Sequence, residues 1–394
     1  MRPFEGIKII DVTHVLAGPF AAYQLAVLGA DVIKVEDPND PDQSRHTGMD
    51  VELNRADMGT GFLTQGSNKR AITLNLKTGQ GREILKALVK DADVFVENYR
   101  ASAFKALGLG YDDLKKINPK LIYCSMTAFG QEGPRGGQTA YDHAIQATSG
   151  ITAGTGTPET APMKCGAPII DYATGTMAAF AIASALFQRT RTGTGQYIDS
   201  SMLDVALMMQ ASHITGHLYT GKSVGLRGNT TAYASGNLYD AKDGKVQLAA
   251  SNGRQNSRLM EAVGRPDLAG TDYEMRAKNH AAEAAVLGDI MKQKTAQEWE
   301  DYLQSKHVPA TRLRHMEEAL QDPQLESRNL LHRHGVVPGV GKPLTVPLCA
   351  FKFAHGGPRI DTPPPRLGEH NESILKSLGY ADSDIAQLRA DGVI

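Results

Sequence analysis

The sequence predicts an α/β protein built on a parallel sheet, and three observations carry that prediction. Short apolar runs alternate with amphipathic helical stretches from Ile7 to Ser125. The first alternation closes a βαβ unit of about thirty residues, the opening of a Rossmann-like sheet. The 40 glycines sit mostly at junctions between elements, where tight turns need them.

Ile7-Lys8-Ile9-Ile10-Asp11-Val12 reads as a buried strand. Gly18-Pro19 opens a helix from Phe20 to Leu28, which Gly29 ends. Asp31 to Glu36 is the second strand, stopped by Asp37-Pro38. The turn between them, Thr13 to Pro19, lacks the GxGxxG fingerprint, so neither NAD nor FAD is expected. Residues 39–62 are polar and irregular, and read as a long loop or flap. Arg70 to Leu76 alternates as a strand. Thr78 to Lys90 is an amphipathic helix with Ile84, Leu85, Leu88 and Val89 on one face.

Asp93 to Glu97 is the next strand, followed by Asn98-Tyr99-Arg100 and a helix carrying Phe104 and Leu107. Leu121 to Ser125 is a further strand. A glycine-rich loop, Phe129 to Gly137, leads to a helix from Asp142 to Ser149 and a loop reaching Pro162. Gly193 to Asp199 marks a turn and strand, and a helix follows from Met202 to Tyr219. Composition shifts near Gly221. Gly225 to Gly236 reads as a linker or mobile loop, and Lys242-Asp243-Gly244 as the turn of a hairpin. Helices follow, one holding Trp299, the only tryptophan. The expected domains are 1–220, a smaller α+β domain over 221–325, and a C-terminal segment, 326–394, packing back on the first.

With 394 residues, about two or three domains are expected. A net charge of −1 implies no polyanionic or acidic-membrane partner. Cys124, Cys165 and Cys349 form no CxxC pair, so no disulfide framework and no thiolate metal site is expected. A reducing cytoplasm fits that usage best. Met1 to Glu5 shows no targeting peptide, and the apolar run from Met177 to Phe187 is too short for a membrane span.

The stretch from Gly166 to Gly175 concentrates the chemistry. Asp171 follows a short apolar run and precedes an Ala-rich helix, Thr176 to Leu186. At a strand-to-helix junction the helix dipole holds a carboxylate ionised and partly desolvated, as a nucleophile requires. An ordinary N-cap aspartate would occupy the same place.

Several segments, in order, resemble the family III CoA-transferases, the formyl-CoA:oxalate CoA-transferase-like proteins. They are Asp11 to Pro19, Leu28 to Glu36, Asn68 to Lys77, Val96 to Arg100, Ala128 to Pro134, Ala140-Tyr141-Asp142, Arg191 to Gln196, and Leu367 to Asn371. The resemblance implies an interlocked homodimer, with a large Rossmann-like domain built from both chain ends and a smaller inserted domain. It makes Asp171 the catalytic aspartate. It implies CoA binding by Leu74, Asn75, Lys77, Asn98, Tyr99, Arg100, Tyr141 and Asp142, with Leu16, Ala17 and His14 at the acyl pocket. CoA and acyl-CoA enter as substrates; no permanently bound cofactor and no metal is implied. A loop from Thr230 to Asn237 would close over Asp171.

Three departures from the family pattern matter. Asp37 stands where the family commonly has a phosphate-binding arginine, leaving Arg45, Lys69 or Lys105 to compensate. The run of glycines in the mobile loop is reduced to Ser235-Gly236, which disfavours oxalate as acceptor. Tyr141 replaces the histidine that racemases of this fold use, and neutral tyrosine is a poor base at pH 7. The resemblance thus implies transfer of CoA from an acyl-CoA such as succinyl-CoA to a short dicarboxylate or analogue. An acyl-CoA racemase of the same fold and a non-catalytic CoA-binding subunit are the alternatives.

Overall fold

Six strands form one parallel sheet: β1 (Lys8–Asp11), β2 (Asp31–Glu36), β3 (Lys69–Thr73), β4 (Val94–Glu97), β5 (Ile122–Thr127) and β6 (Gln196–Ser201). Their order is β3-β2-β1-β4-β5-β6 in this computed structural model, which describes residues 1–394. The strands read as apolar runs because helices cover both faces, and β4 and β5 are buried throughout.

The helices of this part are α1 (Ala17–Val27), α2 (Val51–Arg55), α3 (Thr60–Gly66), α4 (Gly79–Lys90), α5 (Ala103–Ala106), α6 (Tyr111–Ile117), α7 (Asp142–Thr148), α8 (Ile169–Thr192), α9 (Met202–Met208) and α10 (Ala211–Thr220). One face of the sheet packs on the apolar side of α4, with Ile84, Leu85, Leu88 and Val89 in its core. The other packs on α1 and α8 through Ala21, Ala22, Leu25, Ala178 and Ile182. Small side chains let these two helices approach closely.

The chain divides into two compact units. One comprises 1–151, 164–223 and 324–394; the other comprises 152–163 and 224–323. In the first, the C-terminal part forms a hairpin, Leu331–Val336 with Pro343–Pro347, and two closing helices. It is pinned to β3, where Ala71 N donates to His370 Nδ1 (3.1 Å) and Thr73 N to Asn371 Oδ1 (2.8 Å).

The second unit holds an antiparallel sheet of β7 (Leu238–Asp240), β8 (Lys245–Leu248) and β9 (Ala310–Arg312). The β7–β8 hairpin turns at Lys242-Asp243-Gly244, as its turn residues predict. Trp299 is buried in its core and donates from Nε1 to the Met291 carbonyl at 2.7 Å. Of the segment expected as a mobile loop only the end is anchored here, while Thr230, Thr231 and Ala232 stay exposed. Ala234, Ser235, Gly236 and Asn237 are buried, and Ser235 Oγ donates to Ala250 O at 2.8 Å.

Three expectations are corrected. Residues 39–62 contain a 3-10 turn (Gln43–His46), α2 and α3, because Arg45 is buried and grips both oxygens of Glu36 at 2.7 Å. The helix expected from Met202 to Tyr219 breaks at Met209-Gln210 into α9 and α10. No strand precedes Asp171: α8 starts at Ile169 and runs for 24 residues. By length and composition α8 is apolar enough to cross a membrane, with mean hydropathy 1.4; its buried stripe packs on α1 and the sheet.

Candidate active site

The sheet order reverses between β1 and β4, and the crevice outside the carboxyl ends of such strands is where α/β sheets bind ligands. Two loops meet there. Asn98, just after β4, receives the His14 N–H on Oδ1 (2.9 Å) and donates from Nδ2 to the His14 carbonyl (2.8 Å). The next residue, Val15, has φ 71°. A β-branched residue in that region is strained by roughly 1–3 kcal/mol. Asp42 holds it, accepting the Val15 N–H at 2.9 Å while Lys34 Nζ lies 2.8 Å from the other carboxylate oxygen.

Asp171 reaches the crevice from the first turn of α8. Pro168 at the N-cap offers no side-chain cap, so the orphan amides need an acceptor from elsewhere. Asp142 supplies it: its Oδ2 accepts from Ile170 N (2.7 Å) and Asp171 N (3.1 Å), and its Oδ1 accepts from Gln146 Nε2 (2.5 Å). One turn on, Gly175 lets α8 close on α1; a Cβ there would meet the Ala17 carbonyl at 2.6 Å and Phe20 at 3.0 Å. Asp171 is thereby set beside the start of α1. Burial, and secondarily the Asp142 carboxylate, push its carboxyl up to about 7. This corrects the expectation of a firmly ionised group: burial disfavours the charged form and brings its titration into the neutral range.

Asp171 lines a cavity of about 360 Å³. His14, Leu16 and Ala17 line it from the β1 side, and Asn98, Tyr99 and Arg100 from the β4 side. Tyr141 completes the predicted residues gathered there. The His14 ring stands edge-on to Tyr99, with centroids 4.8 Å apart. Its buried Nδ1 has no hydrogen-bond partner, and burial lowers its pKa, which leaves a neutral ring able to bond a ligand.

Other predicted residues lie apart from this cavity. Leu74 is buried and donates its N–H to Glu36 O at 2.7 Å. Asn75 ties the C-terminal end, its N–H donating to Val393 O at 2.8 Å. Lys77 is exposed, with Nζ 4.0 Å from Asp37. Asp142 spends both oxygens inside the protein, a different task from the expected contact with CoA. Of the residues expected to compensate for Asp37, Arg45 is committed to Glu36 and Lys69 to Asp11 at 2.7 Å, both buried. Lys105 is exposed beside a neighbouring cavity that Arg100 also lines.

The model of CoA-transferase family III matches residues 4–371. The chain belongs to that family. It is 34% identical over 402 residues to succinyl-CoA:glutarate CoA-transferase of Homo sapiens, covering 100% of this chain and 90% of that protein. It is 36% identical over 389 residues to acetyl-CoA:oxalate CoA-transferase of Acetobacter aceti, covering 97% of each. The crystal structure of a CAIB/BAIF family protein from Brucella suis superposes with TM-score 0.82 at 33% identity, covering 96% of this chain and 99% of that one.

In this CoA-transferase, residues that set the site's geometry escaped the sequence reading. Asp42 and Lys34 fix the strained loop, and no local pattern pairs them with Val15. Glu97 is buried, and burial pushes it up to about 7; it accepts the Tyr99 N–H at 2.9 Å and so orients the residue beside Asn98. A charged residue ending an otherwise apolar strand is the signal that could have found it.

Proposed function

We propose that this transferase moves CoA from an acyl-CoA, succinyl-CoA foremost, to a short dicarboxylate or close analogue, with Asp171 as covalent carrier. The observation carrying this reading is the half-buried Asp171 carboxyl in a cavity at the sheet's switch point, raised to about 7. A carboxylate of raised basicity is a better nucleophile when ionised, and near pH 7 a working fraction is ionised. The two relatives support the substrate class: glutarate and oxalate are both dicarboxylates.

In the proposed reaction an Asp171 oxygen attacks the thioester carbonyl and the C–S bond breaks, giving an acyl-aspartyl anhydride and CoA thiolate. The thiolate attacks the aspartyl carbonyl, expelling the donor carboxylate and leaving an aspartyl-CoA thioester. The acceptor carboxylate attacks that thioester, and the returning thiolate takes the acceptor's acyl group, freeing Asp171. Each step exchanges one carboxylate or thiolate for another, so no net proton is consumed. Leu16 and Ala17 flank the reacting carboxyl, His14 offers a hydrogen bond, and Asn98, Tyr99 and Tyr141 line the path of the pantetheine arm. Arg100 and Lys77 are the cations proposed for the CoA phosphates.

The test is trapping. The enzyme is incubated with succinyl-CoA, quenched with hydroxylamine, and digested for mass spectrometry. A hydroxamate at Asp171, absent from Asp171→Asn, is the expected result. An unmodified Asp171, with solvent deuterium entering the acyl α-carbon instead, would replace this reading with proton abstraction.

A further inference from the structure

Asp171 lines two cavities, not one. The second has a volume of about 410 Å³, and its lining shares only Tyr141 and Asp171 with the first. The two differ in chemistry. The first carries Leu16, Tyr99, Met126 and Met202 beside Asn98 and Arg100, a lining suited to a long, partly apolar arm ending in phosphates. The second is short of large apolar side chains and presents Gln43, His143, Lys164 and Cys165. Such a lining suits a small polar acid.

Lys164 is the ammonium of that second cavity, and it is uncommitted. Its Nζ forms no ion pair, and its one hydrogen bond is a long 3.4 Å contact to the Cys165 carbonyl. The carboxylates beside it do not compensate it: Asp142 is spent on the start of α8, and Asp171 faces the reaction. An exposed lysine with no carboxylate partner, in a cavity ending at the nucleophile, is placed to hold an anion.

We infer that the acid substrate occupies this second cavity and that Lys164 binds its remote carboxylate, making Lys164 the residue that selects dicarboxylates over monocarboxylates. The inference rests on Asp171 being the covalent carrier. One carboxyl of the acid reacts at Asp171, while the other extends past Tyr141 to the Lys164 ammonium. CoA, held as the aspartyl-CoA thioester, stays in the first cavity while the acids exchange through the second. Donor and acceptor acids can then replace one another without CoA leaving.

The experiment compares wild-type enzyme, Lys164→Gln and Lys164→Arg. Each is first labelled with acetyl-CoA and with succinyl-CoA and trapped with hydroxylamine. CoA transfer from whichever donor labels is then measured to isotope-labelled succinate against butyrate, and to glutarate against valerate. The expected wild-type preference, as a kcat/KM ratio, is about tenfold or more for the diacid of each pair. Lys164→Gln should bring that ratio near one, mainly through the KM of the diacid, and Lys164→Arg should keep it. The KM of acetyl-CoA, which has no second carboxylate, should move little in both variants, whereas that of succinyl-CoA should rise in Lys164→Gln. A wild-type enzyme indifferent to the second carboxylate, or inactive with all four acids, overturns the inference. So does a Lys164→Gln enzyme that keeps its selectivity or loses both acids equally. A wild-type enzyme that leaves Asp171 unlabelled with either donor fails at the covalent reading instead.

Discussion

Asp171 titrates near neutral pH because burial and the neighbouring Asp142 both disfavour its charge. The acylation half-reaction should therefore rise with pH and level off above an apparent pKa near 7, read from stopped-time hydroxamate yields across pH 5.5–8.5. Asp142→Asn should move that limb to lower pH, but only part of the way, since burial is the larger cause. The same shift carries a stability consequence. The folded pKa lies above the ordinary value of 3.8, so the folded state binds this proton more tightly than the unfolded chain. Asp171 is thus harmless to stability at pH 4, grows costly as pH rises toward 7, and costs most above it. Asp171→Asn should melt higher than wild type at pH 8, by roughly 1–2 kcal/mol after discounting for solvent screening. Its advantage should shrink toward pH 4; an equal advantage at both pH values would contradict the assignment. Asn98 and Arg100 were expected only through the resemblance of Val96 to Arg100 to the family, and Asp171 through its place before a helix together with that resemblance; the structure brings all three to one cavity. The cap on Asp171 was not legible, because its acceptor lies 28 residues before Ile170 and nothing local marks the pairing.

At the scale of elements, period and punctuation served well where an element buries one regular face. All six strands of the parallel sheet and the amphipathic α4 fall where alternation and apolar spacing place them. They failed at the start of α8. Ile169-Ile170 looks like the end of a strand, and only a distant carboxylate makes it a first helical turn. The approach of α8 to α1 is fixed by Gly175, and this yields a separate prediction. Gly175→Ala would drive a methyl group into the Ala17 carbonyl. It should destabilise the protein by about 1–3 kcal/mol in thermal or denaturant unfolding. It should also slow acylation, since the displaced helix carries the proposed nucleophile. Full stability with full activity in this variant would show that the two helices need not sit so close.

At the scale of the whole molecule, several large apolar side chains are left exposed on α8, α9 and α10. Phe180 is 66% exposed and Phe187 60% on α8, while Met208, Leu218 and Tyr219 are 68%, 78% and 90% exposed on the helices that follow. Monomeric proteins seldom leave so many large apolar side chains uncovered together. A second copy of the chain is the proposed cover, so light scattering should give about twice the 42.4 kDa chain mass. Phe180→Glu combined with Phe187→Glu should reduce that mass or the soluble yield; a wild-type monomer would refute the homodimer. Composition and periodicity could not reveal this, because a residue buried against another copy carries the same apolar signature as one buried in its own core.

One feature of α8 ties these scales together. It is a single unbroken helix of 24 residues, roughly 36 Å long, with Asp171, the proposed carrier, in its first turn and the exposed phenylalanines along its middle and end. The proposed chemistry and the proposed assembly would therefore share one stretch of sequence. An engineer who repaints its outer face for solubility also handles the mount of the nucleophile. A substitution on the outer face of α8 would, on this reading, be felt by both.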